Sequence, residues 1–226
     1  MNHTSVSNTL ILILICLTAA WAQPTIEQGR TGSTTAIRFY NMAQGKYDVL
    51  SGNPYLFEEF ADGEVLTNTG RWVDGMKLRY NSYSHQVEYK SLEQIMTAAP
   101  KDVRAFKIGN MLMKSGFPPI EKQNEFSYYE VVYSGKSTLL RHHTTEMVAE
   151  KGFDDVKQGD KFVTYVFYYW LTPEHKMNRV LLSKKSIIGV VLPDKESKIE
   201  AFINEKKLKL KTAEDLLEVI KYHDSL

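Results

Sequence analysis

The sequence predicts an α+β fold: an antiparallel β-meander, sandwich-like or a partly open roll, followed by two or three C-terminal α-helices. Three observations carry that prediction. Between Gly63 and Ser91, apolar residues alternate with charged ones at a period of two and the turns between runs are short and polar. That is how consecutive strands pair antiparallel with one face buried. From Lys161 to Leu171 runs the most apolar strand-like segment of the chain, and after Ser183 the apolar period turns helical.

In chain order, residues 1–22 read as a secretory signal peptide. Thr9 to Leu17 is an apolar run, shorter than the roughly 20 residues a membrane-spanning helix needs. Ala20 and Ala22 supply small residues at alternate positions, so cleavage is expected after Ala22. The leader ahead of the run has no Lys or Arg. Cys16 follows the bulky Ile15, where lipidation would need a small residue, and so reads as a small apolar member of the leader. It is the one cysteine of the chain. Its removal leaves no disulfide scaffold, thiol nucleophile or cysteine metal site.

Residues 23–35, rich in Gln, Gly, Ser and Thr, read as a flexible lead-in. Residues 36–182 form the β-rich domain. Its strands are expected at Glu64–Asn68, Met76–Asn81 and His85–Lys90, with Leu78, Tyr80, Val87 and Tyr89 buried and the intervening charges in water. Further strands follow at Glu93–Thr97, Val103–Ile108, Phe126–Tyr133 and Ser137–His142, the last two joined by a turn at Ser134-Gly135-Lys136. The run Lys161–Leu171 lacks clean alternation, which reads as a central strand covered on both faces. A strand at Arg179–Leu182 ends the series. Residues 183–226 read as a helical segment packed on the sheet. Ile187, Ile188 and Val191 share a face, Pro193-Asp194 ends that helix, and Asp194 caps a second carrying Ile199, Phe202 and Ile203. Thr212 with Asp215 resembles a capping box for a third, striped by Ala213, Leu216, Leu217 and Ile220.

Composition narrows the function classes. The chain has 226 residues, 28 basic and 27 acidic, for a net charge of +1. Such balance gives no long-range field toward nucleic acid or anionic lipid. With 43% hydrophobic and 12% aromatic residues, the composition is that of a packed globular protein. No segment after the leader is apolar enough to span a membrane as a helix. A membrane barrel is disfavoured because the chain finishes in an amphipathic helix rather than an aromatic-ended strand.

One dense polar constellation stands out: Arg141, His142, His143, Thr144, Thr145 and Glu146, with Asp154 and Asp155 shortly after. Histidines and carboxylates are metal ligands and acid–base groups. Here the histidines are adjacent rather than separated by three residues around a glutamate, and neighbours on a strand point to opposite faces, so they do not serve one metal. The expectation is a polar hairpin end. The sequence has no nucleophile elbow, phosphate-binding glycine loop or dinucleotide fingerprint. Its Ser, His and Asp residues form no local triad pattern. Lys184-Lys185 and the lysines of 205–211 read as solvated helix backs and a connector. No catalytic residue, cofactor or metal ligand is therefore assigned. The aromatics Tyr80, Tyr83, Tyr89, Tyr128, Tyr129, Tyr133, Tyr165, Tyr168, Tyr169 and Trp170 fall on strands or their turns. They read as core before they read as a glycan- or lipid-binding face.

Gly52 to Phe60, with Gly63-Glu64-Val65 and Leu78 to Asn81, resembles a group of uncharacterised secreted proteins of Bacteroidetes-type bacteria, in which a Pro-Tyr-Leu opening leads into a strand meander. Leu181 to Lys185, Pro193-Asp194, Phe202-Ile203 and Glu214-Asp215-Leu216 extend the likeness over about residues 45–91 and 181–226. The resemblance implies an envelope location (periplasmic, outer-membrane-associated or extracellular) and no established activity. The functional expectation is a non-enzymatic binding or structural accessory protein of the envelope, whose partner is an envelope protein, a glycan or a lipid. The alternatives are a carrier of a small hydrophobic ligand and a secreted hydrolase without a local motif.

Overall fold

Met76 and Leu78 are buried and Lys77 between them is exposed, as a strand with one core-facing side requires. The computed structural model that places them describes residues 39–41, 47, 50–92, 94–151 and 157–226. The leader at 1–22, the lead-in at 23–35, and Asp154 and Asp155 lie outside the described residues.

The strands are β1 (Phe39–Asn41), β2 (Ala61–Thr67), β3 (Trp72–Asn81), β4 (Gln86–Ser91), β5 (Gln94–Ala98), β6 (Val103–Ile108), β7 (Met111–Lys114), β8 (Tyr129–Ser134), β9 (Thr138–Lys151), β10 (Lys157–Leu171) and β11 (Met177–Val180). Among the described residues they form one antiparallel sheet in the order β1-β5-β4-β3-β2-β6-β7-β8-β9-β10-β11. Two meanders, β2–β5 and β6–β11, are thus joined where β2 pairs with β6. Three helices follow: α1 (Lys184–Ile188), α2 (Pro193–Glu205) and α3 (Ala213–Ser225). The expected α+β meander with C-terminal helices is the observed architecture.

Three apolar clusters hold it. Val65, Leu78, Tyr80, Val87, Phe106 and Tyr128 belong to the core of the first half. On the second half, Leu139, Trp170 and Val180 meet Ile187, Ile199 and Leu216 of the three helices on one face. The opposite face carries Tyr129, Leu140, Tyr169, Leu171 and Met177, against which Phe117 and Ile120 of the β7–β8 loop pack. Ile199, Ile203, Leu216, Val219 and Ile220 are all buried, at the spacings an amphipathic helix presents. The Thr212 side chain accepts from the Asp215 amide, capping α3 as expected.

Several local expectations need correction. Pro193 does not end a helix. It is the first residue of α2, with Leu192 as the cap, because its missing N–H is one the first turn leaves unpaired anyway. The β3 and β4 charges are not both in water. Glu88 is fully buried and accepts from Arg79, whose guanidinium lies 3.5 Å from the centroid of the Tyr55 ring. The strap around Asn53–Phe60 covers that face. The turn at Gly52 explains part of the opening motif. Its φ is +82°, and an added Cβ would sit 2.5 Å from the Phe162 carbonyl, where Ser51 bridges to β10. β10 is not central. It is next to the sheet edge, and β11 pairs only with Tyr168–Leu171.

Candidate functional site

The histidine run is not a hairpin end. β9 carries it mid-strand, paired with β10 along its whole length, Phe167 opposite His142 and Val166 opposite His143. Alternation separates the two rings as expected. Leu140, His142 and Thr144 face one way, and Leu139, Arg141, His143 and Thr145 the other.

On the first face, the His142 ring stacks on His85 at 5.4 Å and 20° and tilts against Tyr129 at 5.1 Å. Its Nδ1 lies 3.1 Å from the Tyr128 carbonyl. A carbonyl only accepts, so Nδ1 carries the proton and Nε2 is left as the acceptor. Burial drives the His142 pKa down to about 4, against the opposing pull of that carbonyl bond. Burial lowers His85 as well. Both imidazoles are therefore neutral near pH 7. His85 reaches this place because Asn81 Oδ1 accepts from the amides of Tyr83 and Ser84, tightening the β3–β4 turn. That turn docks on β9 beyond the reach of β8. Thr145 N–H donates to the Ser82 carbonyl, and a hydroxyl chain links Ser82, Thr145 and Thr164 at 2.7 and 2.8 Å.

On the second face, His143 Nε2 is 2.7 Å from one oxygen of Glu130, and Arg141 Nη2 donates to the other at 2.8 Å. Burial pushes the Glu130 carboxyl up, but the bonds and charges of His143 and Arg141 prevail and hold it below its usual range. An imidazole bonded to a carboxylate is half of an acid–base relay. The hydroxyl nearest in sequence on that face, Thr145, is already engaged by Ser82 and Thr164. Glu146 is exposed, opposite Val163, and joins neither network. No group of three or more His, Cys, Asp or Glu able to hold a metal occurs among the described residues.

A second polar cluster escapes sequence reasoning because its members are far apart in the chain. Asp224, near the end of α3, accepts from the Ser137 amide at 2.8 Å and the Tyr133 hydroxyl at 3.2 Å, and His223 Nδ1 lies 3.5 Å from its other oxygen. The carboxylate, not the imidazole, meets Ser137, so this is a clamp holding the β8–β9 turn to α3 and not a triad. Gly135 is required there, since a Cβ would overlap the Tyr133 hydroxyl. Burial opposes the Asp224 charge, yet the bonds from Ser137, His223 and Tyr133 hold its pKa below the usual range.

The aromatics divide. Tyr80, Phe106 and Tyr128 pack on one another at 5.0–6.0 Å between centroids. Burial raises the phenol pKa values of Tyr80, Tyr128 and Tyr129. These residues, with Tyr89, Tyr169 and Trp170, are core. Tyr165 is not: it and its neighbour Val166 are 38% and 41% exposed. Between β11 and α1 lies a broad, open depression of about 640 Å³, lined by Ile120, Met177, Arg179, Leu181 and Val190. Compared with family models, curated proteins and solved structures, the chain matches none. No helix among the described residues is long and apolar enough to cross a membrane.

Proposed function

We propose that this chain is an exported protein of the cell envelope that acts by binding rather than by catalysis. The observation that supports the reading is the engagement of the histidine run. His142 is committed to a carbonyl and two rings, and His143 to Glu130 and through it to Arg141. Both side chains are almost fully buried, and one ring nitrogen of each is already committed to a protein partner. Export rests on the leader, with its apolar run and the Ala20/Ala22 cleavage pattern.

Two measurements test the two halves. N-terminal sequencing of protein recovered from the envelope is expected to begin at Gln23; an intact Met1, or a lipidated Cys16, would overturn the leader assignment. Generic ester, glycoside and peptide substrates, with and without chelator, are expected to show no turnover that distinguishes the native protein from a His142→Phe, His143→Gln double variant. Turnover lost in that variant, with its fold intact, would make the run a catalytic site.

A further inference from the structure

We infer that the outer edge of β10, from Val163 to Phe167, is a docking site for an extended segment of another polypeptide, which adds there as a strand. In an antiparallel ladder the N–H and C=O groups of alternate residues point to opposite neighbours. Phe162 N–H points outward, to the Ser51 carbonyl at 2.9 Å, and Tyr168 is the first residue paired with β11. Thr164 and Val166 share that parity. Their backbone groups face outward into the gap with no partner among the described residues, while Val163, Tyr165 and Phe167 point theirs at β9.

The gap is about 17 Å long, and the chain's own segments fill the same edge on either side of it. Open edges in monomeric proteins are ordinarily blunted by Lys, Pro, a bulge or a covering loop. Val163, Thr164, Tyr165, Val166 and Phe167 bring none of these. They are strong strand formers, and Thr164, Tyr165 and Val166 are exposed.

The same geometry selects the occupant. A second copy pairing through this edge would centre on Tyr165 and set its Phe162 against Tyr168, where β11 already stands. An overlap of this length also falls far short of the roughly 800 Å² per partner of a stable dimer. A single extended segment enters and leaves without that clash. Its residue opposite Tyr165 lies beside the Tyr165 and Phe167 rings, which stack at 6.5 Å and 9°. The residues on either side exchange backbone hydrogen bonds with Thr164 and Val166. The fitting partner is therefore a proline-free segment of β-branched and aromatic residues, bound by strand addition, with the Arg179 guanidinium over the Phe167 ring at one end of the gap. This goes beyond the binding reading above, and its test reads backbone protection rather than turnover, so the two fail separately.

The experiment is residue-resolved hydrogen exchange on the full chain, with the probe acetyl-Thr-Val-Tyr-Val-Thr-amide and the same peptide N-methylated at both valines. In the free protein the Thr164 and Val166 amides are expected to exchange fast, and those of Val163, Tyr165 and Phe167 slowly. The plain peptide is expected to slow Thr164 and Val166 by about tenfold or more, and the methylated one to leave them unchanged. Val166→Pro, which keeps the pairing with β9, is expected to abolish the response; should it not fold, the methylated peptide decides alone. The inference is overturned by protection of both amides in the free protein or an equal effect of both peptides. It is equally overturned by no protection up to about 1 mM plain peptide. Protection that grows with protein concentration alone would assign the edge to a second copy.

Discussion

The two faces of β9 carry the same residue type in opposite settings. His142 is held neutral among rings, whereas His143 belongs to an ionic network with Glu130 and Arg141. The difference teaches what adjacency in sequence means on a strand. Two histidines that look like one reactive pair are separated by the backbone into an apolar contact and a hydrogen-bonded charge cluster, and each face answers to a different perturbation.

The largest effect is expected from the ionic face. Glu130→Ala leaves the Arg141 guanidinium and the His143 imidazole without their shared partner and is expected to destabilise the fold by about 3 kcal/mol in chemical denaturation. A variant within a few tenths of wild type would mean that the network contributes nothing. The clamp comes next. Asp224→Ala removes the acceptor of the Ser137 amide and the Tyr133 hydroxyl, for an expected loss of about 2 kcal/mol. Detachment of α3 should then appear as faster hydrogen exchange at the β8–β9 turn.

The pH dependence separates the faces further. The folded His142 pKa lies below the unfolded value, so between about 6.5 and about 4 the unfolded chain binds more protons. Stability is present above that window and is lost as pH falls through it. Glu130 is likewise depressed, but from a carboxylate's value, so its contribution is lost only at lower pH, as its folded pKa is crossed. His142→Phe is therefore expected to flatten the stability profile between pH 6.5 and 4, and Glu130→Gln to flatten it below about 4.5. The smallest effect is His142→Phe at pH 8. The ring contacts persist and one hydrogen bond is lost, an expected change of about 1 kcal/mol. At pH 5 the same variant is expected to be more stable than wild type.

Period-two alternation made β3 and β4 readable, and capping residues made α3 readable, because both are local signals. What escaped depends on neighbours distant in the chain. Glu88 is buried because Arg79 and the strap from Asn53 to Phe60 close over it. β7 escaped because Met111–Lys114 is too short to show a period. The role of β10 was misread because an apolar run says that a strand is long and sticky, not which of its edges is paired. At the candidate site, opposite orientation of His142 and His143 follows from the strand alone. The partners do not: His85 arrives through the β3–β4 turn and Glu130 through the next strand, and no local spacing announces either.

The most direct test of the claim that the histidine run holds the fold rather than performing chemistry is a nitrogen-15 NMR titration of the imidazoles. For His142, Nδ1 is expected to stay protonated and Nε2 bare from pH 8 down to the point where the ring titrates, at about 4. A His142 that titrates near the ordinary value of about 6.5, or that carries its proton on Nε2, would contradict the account.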